Sequence, residues 1–148
     1  MQPVMLALST FRQSEMAISK ALEEAKETKS LLIVYVVDIN LERYFIDSEA
    51  FITPQLEQRA REELLEEHQQ IGKKYVEKIE REALKEDISV KLVFEIGRFG
   101  VICVNIMKRE NPKMIITTRS KRPAWVKKLF GSPVSYLIEN ASCPVIEQ

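Results

Sequence analysis

The chemically most distinctive part of the sequence is a basic segment that ends in Gly131 and Ser132, at the start of a predicted helix. Thirteen residues separate Thr117 from Gly131, and the five cations among them are Arg119, Lys121, Arg122, Lys127 and Lys128. A helix N-terminus flanked by cations favours an anion such as phosphate, because its N–H groups and its dipole point outward. The segment predicts either an anion site or a solvated cationic loop, balanced by the helix glutamates Glu57, Glu62, Glu63, Glu66 and Glu67. The balanced loop is the favoured alternative.

Other residues that could carry catalysis lack partners in the sequence. His68 is the only histidine, so neither a zinc site nor a catalytic triad can be built around it, and we expect a half-buried structural side chain. Cys103 and Cys143 have no neighbouring histidine, and we expect both to be core thiols. No serine stands in a nucleophile-elbow motif. For Trp125 we favour packing on the core over stacking on a base or contact with a partner.

Alternating strands and helices would position these residues. Short apolar runs predict five strands, and apolar residues three or four positions apart predict the intervening helices. The predicted strands are 4–8, 31–37, 88–94, 114–117 and 144–146, and the helices are about 17–25, 54–83, 101–109 and 133–140. This order favours a five-stranded parallel sheet with helices on both faces, a Rossmann-like three-layer α/β/α sandwich. A ligand would then bind beyond the carboxyl ends of the strands.

The long second helix and the loop before it complete this pattern. Residues 39–52 lack a period and predict a surface loop, after which Thr53 and Pro54 form a helix start. The apolar stripe of the helix includes His68 and Ile71, and Gly72 is expected to weaken it.

Length, charge and hydropathy exclude several classes of protein. At 148 residues we expect one domain, 1–148. The 22 basic and 22 acidic residues cancel, which argues against a nucleic-acid or membrane-surface partner. No apolar run approaches the ~20 residues that a membrane-spanning helix needs, and no secretory signal precedes the first strand. We therefore expect a cytoplasmic protein.

Five segments of the chain together resemble the universal stress protein family over nearly the whole length. The most specific is the last, in which a Gly-Ser helix start is followed about a dozen residues later by Cys-Pro-Val. The segments are VMLAL, LLIVYVVD, EIGRFGVICVNI, MIITTRS and LFGSPVSYLIENASCPVIEQ. The resemblance implies the adenine nucleotide alpha hydrolase-like version of the Rossmann-like fold.

The resemblance also implies where an ATP site would lie. Family members that bind ATP share a pattern of Gly, two residues, Gly, nine residues, Gly, and then Ser or Thr. Gly131 and Ser132 match its end, but Thr118 and Lys121 stand where the two earlier glycines would be. Ser9 replaces the family's aspartate near adenine and ribose, whereas Val36 matches the position that contacts the base.

These departures change what the loop can do. Glycine allows backbone N–H groups to close on phosphate, and a Cβ at Thr118 or Lys121 obstructs or reshapes that approach. Pro133 removes one further donor. We therefore expect a regulatory or interaction module with no cofactor and no enzymatic activity. The alternative is an ATP-binding protein with little or no hydrolysis, with Arg119, Lys121, Gly131 and Ser132 on the phosphates, Val36 on the base and Ser9 on the ribose.

The C-terminal strand predicts how the chain associates. It begins at Pro144 and ends at Ile146, and its apolar residues would lie at the edge of the sheet. An apolar edge strand is usually covered or paired. Because the resemblance implies edge pairing around a two-fold axis, we expect a homodimer through this strand and neighbouring helices. The sequence does not identify any further protein partner.

Overall fold

The computed structural model describes residues 2–9, 14–38, 54–119 and 133–148. Five strands and four helices alternate along these ranges, in the predicted order. They are β1 (Val4–Ser9), α1 (Glu15–Thr28), β2 (Ser30–Asp38), α2 (Pro54–Lys85), β3 (Ser89–Gly97), α3 (Phe99–Glu110), β4 (Met114–Thr117), α4 (Pro133–Asn140) and β5 (Val145–Glu147). The predicted loop 39–52, the cap at Thr53 and residues 120–132 of the basic segment lie outside the described residues.

The five strands form one sheet in the order β3-β2-β1-β4-β5, and every pair is parallel. Side chains on one face pack against α1 and α2, and those on the other face pack against α3 and α4. The predicted three-layer α/β/α sandwich is therefore confirmed. β1 and β2 read as continuous apolar runs because both of their faces are covered.

Capping residues fix both ends of α1. Ser14 is its N-cap, and its Oγ accepts a hydrogen bond of 3.2 Å from the N–H of Ala17. At the other end Lys29 adopts a left-handed conformation and its N–H donates to the Ala25 carbonyl at 2.7 Å. The small buried residues between these caps allow the helix to lie close to the sheet.

Several predicted boundaries need correction. α3 begins at Phe99, two residues before the predicted start, because Phe99 and Gly100 are buried against the sheet instead of forming a turn. β3 continues to Gly97, which pairs with Asp38. β5 starts one residue later than predicted, after Pro144. Ile71 is 46% exposed and does not belong to the buried stripe of α2.

Gly72 lies where α2 approaches an aromatic group on the sheet. Tyr35 stacks on Phe94 with ring centroids 5.3 Å apart and contacts Tyr75 edge-on at 6.5 Å. A Cβ at Gly72 would collide with Cε1 of Tyr35 and would lie 2.9 Å from Cε2 of Phe94. The glycine that the sequence suggested as a weak point is thus required for close packing, and α2 continues through it.

We predict that Gly72→Ala destabilises the protein. The methyl group gains about 1 kcal/mol of helix propensity, but overpacking typically costs about 1–3 kcal/mol. Because Tyr35 is fully buried and cannot move aside, we expect a net loss of free energy of unfolding, measured by urea denaturation. Lys73→Ala, at the exposed neighbouring position, is the control and should have little effect. A Gly72→Ala protein as stable as the parent would contradict this packing.

A second prediction concerns the pH dependence of stability. Burial raises the pKa of Tyr75 to about 12; the charge of Glu15 adds to this effect, and a backbone hydrogen bond at Ser14 opposes it. The folded state therefore keeps the proton after the unfolded chain has lost it. The stabilisation from this group is complete below the unfolded pKa near 10 and is lost as the pH rises toward 12.

The test compares the free energy of unfolding of the parent with that of Tyr75→Phe between pH 9 and pH 12. This interval includes the pKa near 10 of the unfolded chain and the pKa of about 12 in the folded protein. The parent should lose more free energy of unfolding than the variant over this interval. Identical slopes for the two proteins would show that Tyr75 ionises normally in the folded state.

Candidate functional site

The carboxyl edge of the sheet brings together the predicted site residues that the structure describes. β1 lies between β2 and β4, so the direction of winding reverses beside it, which is where ligands bind in open α/β sheets. Ser9 ends β1 and pairs with Val36 of β2. Thr118 directly follows β4, the other neighbour of β1.

Ser9 and Val36 lie on the α3/α4 face of the sheet. Paired residues of parallel strands share a face, and Val36 packs in the cluster that includes Val134 and Leu137 of α4. α4 follows β4, so its first turn lies at this same edge and face. Gly131 and Ser132, immediately before that turn, and Lys121 lie outside the described residues.

The backbone at the end of β4 is engaged in hydrogen bonds. The Oγ1 hydroxyl of Thr117 donates to the Ala7 carbonyl at 2.9 Å, in the buried interior. The N–H of Gln148 donates to the Thr117 carbonyl at 2.9 Å, and the N–H of Arg119 donates to the Gln148 carbonyl at 3.2 Å. The amide of Arg119 is therefore used by the chain terminus and does not point at a ligand.

Burial divides the described site residues into two groups. Ser9, Val36 and Thr118 are 1%, 0% and 3% exposed, so their side chains are part of the packed interior. Arg119 is exposed. The structure thus places Val36 in the sheet interior, where it forms an apolar wall, and leaves the Arg119 guanidinium able to meet an anion from solvent.

Two residues of this edge were missed by the sequence prediction. Thr117 was assigned only to a strand, although a hydroxyl in the central, fully covered part of a sheet requires a hydrogen-bond partner. Gln148 was assigned no role, because a main-chain contact of a terminal residue leaves no signal in residue type.

The metal-binding, thiol and histidine candidates were also located in the part of the chain that the structure describes. There, no group of three or more His, Cys, Asp or Glu side chains could hold a metal ion. Cys103 is buried, as predicted, whereas Cys143 is only half-buried beside the core, where burial raises the pKa of its thiol. His68 is half-buried on α2. No helix in the described ranges is long and apolar enough to cross a membrane.

A cavity of about 370 Å³ lies away from this edge, between α1 and the end of α2. Its lining alternates in charge and includes Glu23, Lys26, Glu82 and Lys85. Glu86 also lines it and lies 4.0 Å from Lys26, so charges of both signs face the cavity and do not single out an anion or a cation.

Comparison with known proteins gives a consistent result for the whole chain. The model of the universal stress protein family matches residues 1–146. Among solved structures, the universal stress protein UspA from Lactobacillus plantarum superposes with a TM-score of 0.73 at 19% identity, covering 99% of this chain and 97% of that one. No curated protein sequence matches the chain significantly.

Two further similar structures contain nucleotides according to their descriptions. A universal stress protein in complex with cAMP has a TM-score of 0.61 at 11% identity, with 99% of this chain and 96% of that chain covered. A family protein from Arabidopsis thaliana with AMP bound has a TM-score of 0.59 at 12% identity, with 98% and 90% covered. At these identities the similarity establishes the fold.

We predict that Thr117→Val destabilises the protein although valine is more apolar and has nearly the same shape. The substitution leaves the buried Ala7 carbonyl without the hydroxyl donor, at a cost of about 1–2 kcal/mol. Urea denaturation measures the change in free energy of unfolding. A variant of equal or greater stability would show that the hydroxyl does not support this edge of the sheet.

Proposed function

The chain belongs to the universal stress protein family, and we propose that it acts as a regulatory or interaction module of the stress response, without standard ATP binding and without turnover. The observation that carries this proposal is the position of Thr118. Its side chain is buried at the carboxyl end of β4, beside the winding reversal, where the family's ATP-binding pattern has its first glycine.

The main chain around Thr118 supports the same proposal. A phosphate loop works by directing successive N–H groups at the anion. Here the amide of Arg119 already donates to the carbonyl of Gln148. The next helix begins with Pro133, which has no N–H to offer. Neither of these two positions therefore supplies a backbone N–H to a triphosphate.

The absence of turnover is part of the proposal. Hydrolysis of a phosphoanhydride requires a positioned water or base together with stabilisation of charge on the transferred group. Arg119 is the one cation that the structure describes directly after β4, and it is exposed to solvent, which screens its charge. We also place the protein in the cytoplasm, as its charge and hydropathy pattern suggest.

Adenine-nucleotide binding is the second candidate, and a specific observation favours it. Ser9 and Val36 pair at the carboxyl edge on the face that carries α4, and together they offer a hydroxyl beside an apolar wall. Because Val36 is fully buried, a base would have to displace the side chains that cover it, and the cation of Arg119 would then be available to the phosphates. Two solved structures of similar fold are described with cAMP and with AMP.

We further propose that the module is a homodimer joined through β5. Among the described strands, β5 pairs with β4 on one side alone, and its residues are only partly buried. Val145 and Ile146 would be covered if the strand paired with its two-fold mate. Light scattering should give twice the mass of the chain or a higher even multiple, and a monomer at micromolar concentration would exclude this dimer.

We predict no thermal stabilisation by ATP with magnesium. A ligand at 100 times its dissociation constant stabilises a protein by about 2.7 kcal/mol, enough to raise the melting temperature by several degrees. We expect the melting temperature to stay constant up to millimolar ATP, with AMP and cAMP tested in parallel. A rise with ATP would contradict the main proposal, and a rise with AMP or cAMP alone would favour the second candidate.

The paired glycine variant Thr118→Gly/Lys121→Gly tests the cause. If side chains at these two positions are what excludes the triphosphate, the variant should gain a thermal shift with ATP that the parent lacks. Lys127→Gly removes a cation from the same segment without restoring the pattern, and it is the control. A variant that gains no shift, or a control that gains an equal one, would show that the side chains at positions 118 and 121 are not what excludes the triphosphate.

A further inference from the structure

β3 forms the edge of the sheet opposite to β5. It pairs with β2 along all nine of its residues, and no other strand of the described chain lies on its outer side. Leu92 and Ile96 are 41% and 43% exposed there. A long edge strand with exposed apolar side chains is a template for pairing with another strand.

The charges of β3 are complementary to those of a second copy of the same strand. In a sheet continued across a two-fold axis, strands run antiparallel and facing residues share a face. If the axis passes through Val93, Lys91 lies opposite Glu95 of the other copy, and Glu95 lies opposite Lys91. The same register places Leu92 opposite Phe94 and Val90 opposite Ile96, so the apolar residues face one another.

Only this register pairs the two charges. Moving the axis to Leu92 places Lys91 opposite Val93, and moving it to Phe94 places Glu95 opposite Val93. Opposite charges facing each other across antiparallel strands stabilise the pair, and like charges destabilise it. The strand therefore favours one self-pairing over its neighbours, which a generic solvent-exposed edge would not do.

Lys91 also has a partner within the chain. Its Nζ lies 2.6 Å from Oε1 of Glu110, a contact that contributes most to lowering the pKa of that carboxyl. The Lys91 side chain remains 61% exposed. Because an ammonium group has three N–H donors, it can also donate to a second carboxylate. Glu95 is exposed as well.

We propose that β3 is an interface for a second copy of this chain, which extends the sheet by antiparallel pairing centred on Val93. The interface is separate from β5 and does not depend on nucleotide binding. A chain that uses both edges forms assemblies larger than a dimer, whereas a chain that uses β3 alone forms a dimer.

Charge reversal tests the pairing. Glu95→Lys places lysine opposite Lys91, and Lys91→Glu places glutamate opposite Glu95; each change turns two attractive pairs into two repulsive ones. We expect the dissociation constant, measured by analytical ultracentrifugation, to rise about tenfold or more in either variant alone. A 1:1 mixture of the two variants should associate again, because both cross-strand pairs are then complementary.

Glu110→Gln is the control for Lys91→Glu, since it removes the ion pair within the chain and leaves the edge charges unchanged. It should associate like the parent. Single variants that keep the parent's dissociation constant, or a mixture that fails to associate while both chains remain folded by circular dichroism, would overturn the proposal.

A cysteine at the axis tests the register directly. Facing Cα atoms in antiparallel strands lie about 4.5–5.5 Å apart, within disulfide range. Val93→Cys should therefore cross-link two copies under mild oxidation, whereas Leu92→Cys, offset along the strand, should not. Equal cross-linking of both variants would indicate random collision, and no cross-link in either would overturn the centred pairing.

The assembly state separates this proposal from the dimer through β5. If both edges pair, Glu95→Lys reduces the larger assembly to a dimer. If only β3 pairs, it leaves a monomer. If only β5 pairs, Glu95→Lys leaves the dimer of the parent unchanged, and the proposal for β3 fails while the dimer through β5 stands.

Discussion

The complete burial of β1 is the constraint on which the structure depends. All six of its residues are buried, with hydrogen-bonded strands on both edges and helices on both faces. A strand in this position can carry polar groups only where it leaves the covered region. Ser9, at its carboxyl end, is the only polar residue of β1; it pairs with Val36 and is itself buried.

The same geometry explains why the end of β4 matters. Thr117 is tied to β1 by its hydroxyl and to the chain terminus by its carbonyl, so the strand end has little freedom. Thr118 follows directly and is buried. A threonine at this position has fewer backbone conformations open to it than a glycine would have. Its main-chain amide therefore turns less freely toward a ligand.

The two edge strands of the sheet differ in length. β5 has three residues and β4 only four, so the edge near the chain terminus is short. β3 follows β2 through nine residues, and its outer side is the longest run of main chain without a described strand beside it. Association through either edge would extend one continuous sheet without altering the candidate site between β1 and β4.

Much of the fold could be predicted from the sequence because apolar runs and helical spacing report burial directly. The strand order along the chain and the three layers followed from the alternation of these patterns. The predicted start of α3 was wrong, because Gly97, Phe99 and Gly100 resemble a turn until the burial of Phe99 is known. The role of Gly72 was missed because the aromatic rings it accommodates belong to distant strands.

The candidate site could be predicted only in part. Ser9 pairs with Val36 and Thr118 follows β4 at the same edge, as expected from a parallel sheet. The main-chain bonds of Arg119 and Gln148 depend on how residue 148 pairs, which residue types do not encode.

Native mass spectrometry of protein purified without added nucleotide tests the central claim most directly. We expect masses that are multiples of the chain alone, with no adenine nucleotide retained. A stoichiometric ATP, AMP or cAMP adduct that survives gentle desolvation would contradict it.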